Sequence, residues 1–315
     1  MGIWFSKHDM AICFVIFNPM QTKRIIMNYL YVVNRLRCQG LPVFTIELVF
    51  EGREPEIPDA FHVKGNSHMF HKERLCRLLE KKVPSRYTKL AFLDSDILFD
   101  DASWYYSTSR LLDTHDVVQP FETAHWLDLT YTEKQLSRDS IVKLKETEYN
   151  SKYHPGFAWC MRREWYNKIG FFDYAVSGSG DALSSAGWLK KTFNSKFKSC
   201  PTSLKDEYIA FYDKPAPRIA FLSGTIISHL YHGARANRQY VTRHELLETN
   251  TPITKLLKIN SDGVYEWVDS DLNFKFLDYF KNRNDDDLSL ESVTPIVLAN
   301  FKEPLKLNSD TVLTS

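Results

Sequence analysis

The sequence predicts an α/β protein with a mostly parallel sheet flanked by helices, as one domain over residues 1–248 and an extension, flexible in part, over 249–315. Three observations carry this expectation. Short apolar runs without a polar face recur along the chain, as strands covered on both sides require. The first fifty residues read strand, helix, strand. Polar or acidic residues follow the apolar runs at once, which places side chains of consequence at strand ends.

Residues 11–17 (AICFVIF) form the first expected strand, and Asn18-Pro19 ends it because proline pushes its predecessor out of the helical region. Ile26, Tyr29, Leu30, Val33 and Leu36 then recur at helical spacing. Gly40 closes that helix, Pro42 blocks its continuation, and 43–50 is a second strand. Such a βαβ unit predicts a right-handed crossover and puts the loop after the first strand at the carboxyl edge of the sheet. Residues 51–60 read as a loop, and a helix is expected to start near Asn66 or Ser67 and to stop at Pro84. A strand over 89–93, a helix over 103–112 and a strand over 117–121 follow. Residues 133–149 alternate charges and are expected to be a solvated helix or a loop. A strand at 156–161 leads to the glycines at 178 and 180, after which Asp181 is placed to cap a helix from Ala182. The last clear strand is 225–230, helix signals run over 240–247, and 282–289 is expected to be flexible.

Lys plus Arg number 40 and Asp plus Glu 39, so no overall field points to nucleic acid or an anionic membrane. The five cysteines at 13, 38, 76, 160 and 200 include no CxxC pair, which argues against a thiolate zinc site and for a reducing compartment. The run at 11–17 is too short to span a bilayer and lacks a cleavage pattern. The expectation is a cytoplasmic protein without signal peptide or membrane span.

The stretch KLAFLDSDILFDD (89–101) is the most informative in the chain. Asp94-Ser95-Asp96 ends a fully apolar run and is followed by another. Two carboxylates one residue apart repel each other, and a bound divalent cation removes that repulsion while gaining oxygen ligands. Asp100-Asp101, ahead of Ala102-Ser103-Trp104, reads instead as a helix cap.

FLDSDILFDD resembles the hhhhDxD element of the GT-A glycosyltransferases, which use nucleotide-sugar donors, and further segments resemble that family in matching order from about residue 11 to 240. The resemblance implies Mn²⁺ or Mg²⁺ held by Asp94, Asp96 and a strand-end histidine, for which His229 stands first in Ile227-Ser228-His229-Leu230-Tyr231-His232-Gly233 and His232 second. Arg235 and Arg238 follow directly, and either suits a departing diphosphate; an exposed basic helix start is the alternative. Residues 168–188 are similar to a galactosyltransferase-like segment whose acidic residue deprotonates the acceptor. The likeness is partial, because Gly178-Ser179-Gly180-Asp181 replaces the expected tryptophan element, and it makes Asp181 either the general base or an ordinary cap. By the same resemblance Asn18 meets base and ribose, Lys72 and Arg74 line the nucleotide side, Ser95 and Gly180 belong to the donor site, and His154, Gly156 and Trp159 meet the sugar.

The implied activity is transfer of a sugar from a nucleoside-diphosphate sugar, by resemblance a UDP-sugar, to a glycan or other hydroxyl acceptor, with inversion. Two alternatives keep the same fold: a non-catalytic sugar- or nucleotide-binding relative, and a nucleotidyltransferase that makes the sugar nucleotide. The second lacks its glycine-rich phosphate loop, since Asn18-Pro19-Met20-Gln21 has no glycine. A phosphatase of the haloacid dehalogenase type would open its domain with the DxD strand, whereas here two strands and two helices precede it.

Overall fold

The computed structural model describes residues 8–146, 148–191, 200–240 and 242–286, with the side chains of 235 and 236 left out. Its main sheet has seven strands: β1 (Met10–Phe17), β2 (Val43–Phe50), β3 (Phe61–Gly65), β4 (Lys89–Leu93), β6 (Val117–Gln119), β10 (Ala158–Arg162) and β11 (Ile219–Phe221). They lie in the order β11-β6-β10-β4-β1-β2-β3. All neighbours are parallel except β10, which runs antiparallel to both β4 and β6. The sheet is therefore mostly parallel, as expected, with one reversed strand beside the acidic motif.

Alternation along β1 sends its side chains to opposite layers. Met10, Ile12, Phe14 and Ile16 join Tyr29, Val32 and Val33 of α1 (Lys23–Cys38) and Trp104 and Tyr105 of α3 (Trp104–Leu111) in one buried cluster. Ala11 and Cys13 join Leu75, Cys76 and Leu79 of α2 (Lys72–Glu80) in the other. That second layer also holds α5 (Gly180–Leu189) and α6 (Lys205–Tyr212), through Leu183, Ala186, Tyr208 and Phe211. The short α4 (Arg163–Lys168) follows β10.

A second sheet, in the order β5-β12-β7-β8-β9, stands beside the first: β5 (Ile97–Phe99), β12 (Ile226–His229), β7 (Thr123–Leu127), β8 (Lys134–Ser140) and β9 (Tyr153–His154). Strand β8 falls in the stretch expected to be a solvated helix or loop. Its sequence KQLSRDS is polar, but antiparallel pairing with β7 supplies the backbone bonds and leaves most of its side chains partly or fully exposed. The helix expected from Asn66 or Ser67 starts later, at Lys72. Ser67 does not cap it, because its hydroxyl accepts the Trp267 N–H at 2.9 Å and its carbonyl bonds the His71 ring at 2.8 Å. Residues 242–247 are a 3₁₀ helix rather than an α-helix.

Beyond residue 250, α7 (Ile253–Leu256), the hairpin of β13 (Leu257–Ile259) and β14 (Tyr265–Trp267), and α8 (Ser270–Arg283) place Leu257, Tyr265, Trp267 and Phe276 in the same core as α2. Among the described residues no helix is long and apolar enough to cross a membrane, and all five cysteines are free.

Arg163 fastens the amino edge of this assembly. Its guanidinium meets Glu80 Oε1 at 2.6 Å and the carbonyls of Glu80, Val83 and Pro84 at 2.7–2.9 Å. Arg163→Met should lower the unfolding free energy by about 3 kcal/mol in urea titrations, because Glu80 and three carbonyls lose their donor. An unchanged midpoint would show that water replaces the guanidinium at no cost.

Candidate active site

A cleft of about 540 Å³ opens at the carboxyl edge of β1 and β4, between the two sheets. Its floor is the Asp94-Ser95-Asp96 turn. The Asp94 N–H donates to the Phe157 carbonyl at 2.7 Å, and the Asp96 carbonyl accepts from Leu230 N–H at 2.7 Å. The turn is thereby tied to the reversed strand on one side and to the end of β12 on the other. Phe157 holds a positive φ of 79°, which is unusual for a bulky residue and marks a constrained position. Its buried ring packs on His154 and His229, with centroids 4.0 and 4.8 Å away.

Two constellations occupy the floor. In the first, Asp96 Oδ2 lies 2.9 Å from His232 Nε2 and 3.6 Å from His229 Nε2, and the two nitrogens are 3.2 Å apart. Burial drives His229 well below its ordinary pKa against the pull of Asp96; burial and then Arg238 do the same to His232. Both rings are therefore neutral, the form that binds a metal. Asp96 Oδ1 is buried without a hydrogen-bond partner among the described residues. An orphaned carboxylate oxygen beside two converging neutral imidazoles fits a divalent cation. Both histidines proposed from the sequence meet here, so first and second choice stand together.

Asp94 stands outside this triad. It belongs to the second constellation, where Lys72 Nζ lies 2.5 Å from Asp94 Oδ1 and 2.9 Å from Asp181 Oδ2. Burial raises both carboxyls above the usual range while Lys72 draws them back, and burial also raises the neighbouring Glu73, pushed up to about 8. Lys72 itself is held well above its ordinary value because Asp181, Asp94 and Glu73 outweigh the burial that lowers it. Asp181 does not cap its helix. Ser179, with φ of 65°, precedes α5, and Asp181 sits in the first turn with Oδ2 on Lys72 and Oδ1 buried without a partner among the described residues. Gly180 is required here, since a β-carbon at that position would come within 2.0 Å of Glu73 Oε1.

The other expected residues divide. Asn18, Ser95, His154, Gly156 and Arg238 line the cleft. The Asn18 amide is already engaged, accepting from Thr22 N–H at 2.9 Å and donating to the Thr22 carbonyl and Glu56. Arg74 and Trp159 are taken out of the cleft. Arg74 donates to the Gly263 carbonyl at 2.6 Å and lies over Tyr265, while Trp159 points into the core, donates to the Pro155 carbonyl and meets Trp188 edge-on. Both follow from strand and helix alternation, which turns them to the layer away from the opening. The side chain of Arg235 lies outside the described residues.

Glu73, beside Lys72, and Arg243, of the arginine cluster after the histidines, also line the cleft, and four lining residues carry no sequence signal of their own: Trp126, Arg138, Arg283 and Asp285. The last two come from the end of α8, whose exit lies against Gly233. Asp286 accepts the N–H groups of Lys23 and Arg24 at 2.9 and 3.0 Å and so caps α1.

No protein-family model matches the sequence, and no curated protein does. Among solved structures, the chain is similar to a mutant of the Drosophila β1,4-galactosyltransferase 7 in complex with manganese, UDP-Gal and xylobiose, at 12% identity over 85% of this chain and 98% of that one, with a TM-score of 0.42. It is also similar to the catalytic domain of the same Drosophila enzyme with xylobiose, with equal identity and coverage and a TM-score of 0.38. A third is a glycosyltransferase involved in glycosylation of the major capsid of PBCV-1, at 14% identity over 73% and 97% of the two chains, with a TM-score of 0.29.

Lys72→Met should destabilise the protein in a pH-dependent way. A carboxyl whose folded pKa exceeds the unfolded value binds its proton more tightly when folded, so stability falls as pH rises through that interval. Without the ammonium, Asp94 and Asp181 move further up. The deficit relative to wild type should be small near pH 4 and reach about 2–3 kcal/mol at pH 7 in urea titrations. A deficit independent of pH would mean that Lys72 acts through packing alone.

Proposed function

We propose that the chain is a metal-dependent glycosyltransferase that moves a sugar from a nucleoside-diphosphate sugar to an acceptor hydroxyl. The observation that carries this reading is the pairing, in one cleft, of the Asp96–His229–His232 triad with a half-buried carboxylate, Asp181, one oxygen of which has no partner among the described residues. Uridine as the base and inversion at the anomeric carbon belong to the same reading and rest on the resemblance of the DxD and residue 168–188 segments.

Asp96, His229 and His232 would hold the ion, which when bound offsets the charge gathering on the leaving diphosphate. One carboxylate, two imidazoles and diphosphate oxygens suit Mn²⁺ better than Mg²⁺, which prefers an all-oxygen shell. Arg238, whose guanidinium meets the His232 ring at 2.7 Å, adds a fixed positive charge on the diphosphate side. Asp181 accepts the proton of the attacking hydroxyl at Oδ1. Its raised pKa improves it as a base, and the Lys72 contact keeps it ionised and oriented. Asp94, tied to the same lysine, faces the sugar rather than the ion. The reading departs here from the expectation that both aspartates hold metal.

Thermal shifts with UDP, GDP and CMP, each with and without Mn²⁺, test the donor class, because ligands that bind only the folded state raise its stability by mass action. UDP with Mn²⁺ is expected to give the largest rise, and Asp96→Ala to remove it. A flat response to all nucleotides would favour a different ligand. For the chemistry, Asp181→Asn should reduce turnover roughly a hundredfold to ten-thousandfold with donor affinity unchanged. Proton NMR of the product should show the inverted anomer. Near-normal turnover in Asp181→Asn, or a retained configuration, overturns the inverting mechanism.

A further inference from the structure

Among the described cations that line the cleft, Arg138 is the one that takes neither a hydrogen bond nor an ion pair. Among the described lining residues, Lys72 is held by Asp94 and Asp181, and Arg283 meets Asp285 at 3.0 Å. Arg238 reaches His232 and Tyr240, and Arg243 lies over Phe70 and within 3.4 Å of the Tyr279 hydroxyl. Arg138 has neither a hydrogen bond nor an ion pair among the described residues. Its guanidinium lies over the Trp126 ring, 5.5 Å from the centroid, with Nε buried and unpartnered. The contact with the ring helps to place the planar group, which can take a planar or tetrahedral anion. A buried guanidinium N–H without a partner is costly unless a ligand supplies one, and the two terminal nitrogens are not buried with it.

The neighbours of β8 in the sheet favour the acceptor as that ligand. Arg138 lies on β8 opposite Ala124 of β7, and β7 pairs on its other side with β12, which carries His229. Two strand spacings, roughly 10 Å, separate its strand from that of His229, and the Trp126 ring between them lies 5.9 Å from the His229 ring. On its other side β8 pairs with β9, where Ser140 opposes His154. A β-carbon on Gly156 would stand 3.1 Å from both His154 Nε2 and Asp181 Oδ2, so the β9 edge adjoins the base. The hydroxyl that Asp181 deprotonates belongs to the acceptor, and so does whatever lies over β8 and β9.

We infer that Trp126 and Arg138 form an acceptor subsite that recognises an anionic group, so that the acceptor carries a carboxylate, phosphate or sulfate about one sugar ring from the reacting hydroxyl. This rests on the transferase reading of the cleft. It goes beyond that reading in assigning charge to an acceptor otherwise known only as a hydroxyl compound.

The test uses arginine Nε–H NMR on the full chain saturated with UDP and Mg²⁺, the Arg138 signal being identified by its loss in Arg138→Lys. Methyl β-glucuronide, glucose 6-phosphate and galactose 6-sulfate present the three anions, and methyl β-glucoside is the neutral control. At least one charged probe should shift the signal saturably while the glucoside does not. Arg138→Met should weaken that probe at least about tenfold, as loss of a charged hydrogen bond predicts, with UDP affinity changed less than about twofold. Two outcomes overturn the inference: no charged probe moves the signal, or Arg138→Met weakens UDP instead and so assigns the arginine to the donor. UDP binding, measured first, reports on the transferase reading separately. If UDP fails to bind while a charged sugar still moves Arg138, that reading falls and the anion subsite stands.

Discussion

The floor of the cleft depends on one ammonium set among three acidic side chains. Lys72 bridges Asp94 and Asp181, and Glu73, its neighbour on α2, escapes the resulting crowding by taking up a proton, its pKa pushed up to about 8. Removed from most of the water, like charges at this spacing cannot all persist, so the protein holds two carboxylates with a cation and neutralises the third. The surrounding architecture serves this arrangement. Strand β4 delivers Asp94, α2 delivers Lys72 and Glu73, and α5 delivers Asp181 only because Gly180 leaves room for Glu73. The reversed strand β10 then locks the turn, since Phe157 accepts the Asp94 N–H from the carbonyl that precedes it.

Beside this anionic floor the cleft has a neutral centre and a cationic wall. His229 and His232 are uncharged because they are buried, and for His232 the nearby Arg238 adds to the effect. Positive charge enters from Arg238, Arg243 and Arg283 on one flank and from Arg138 on the other. A doubly charged ion at Asp96 would shift this balance toward positive, which suits a ligand bringing several negative charges of its own. The balanced totals for the whole chain conceal this local separation.

Legibility in the sequence followed the range of the interactions concerned. The apolar runs of β1, β2 and β4, the helical spacing of α1 and the strand-end aspartates are local patterns, and each stands where the residues place it. His229, His232 and Asp181 were recognisable because each sits beside a local mark, a strand end or a glycine pair. What escaped was set by partners distant in the chain. Strand β8 is polar and exists through pairing with β7, so no periodicity announces it. Arg74 and Trp159 have suitable chemistry, but the alternation of their elements turns them to the wrong layer. Asp181 is adjacent to a helix start and resembles a cap, yet its oxygen goes to a lysine 109 positions earlier.

The bond between Asp286 and the start of α1 spans 263 positions. Helix α1 leaves the ribosome well before the carboxylate that completes its amino end. The same late segment brings Arg283 and Asp285 to the cleft and rests on Gly233, next to His232. Contacts of such long range form slowly, because the intervening chain must first be ordered. The strands can therefore pair during synthesis while the corner that carries Arg283 and Asp285 waits for this later segment, and a nascent chain would hold its sheet before this side of the cleft is complete.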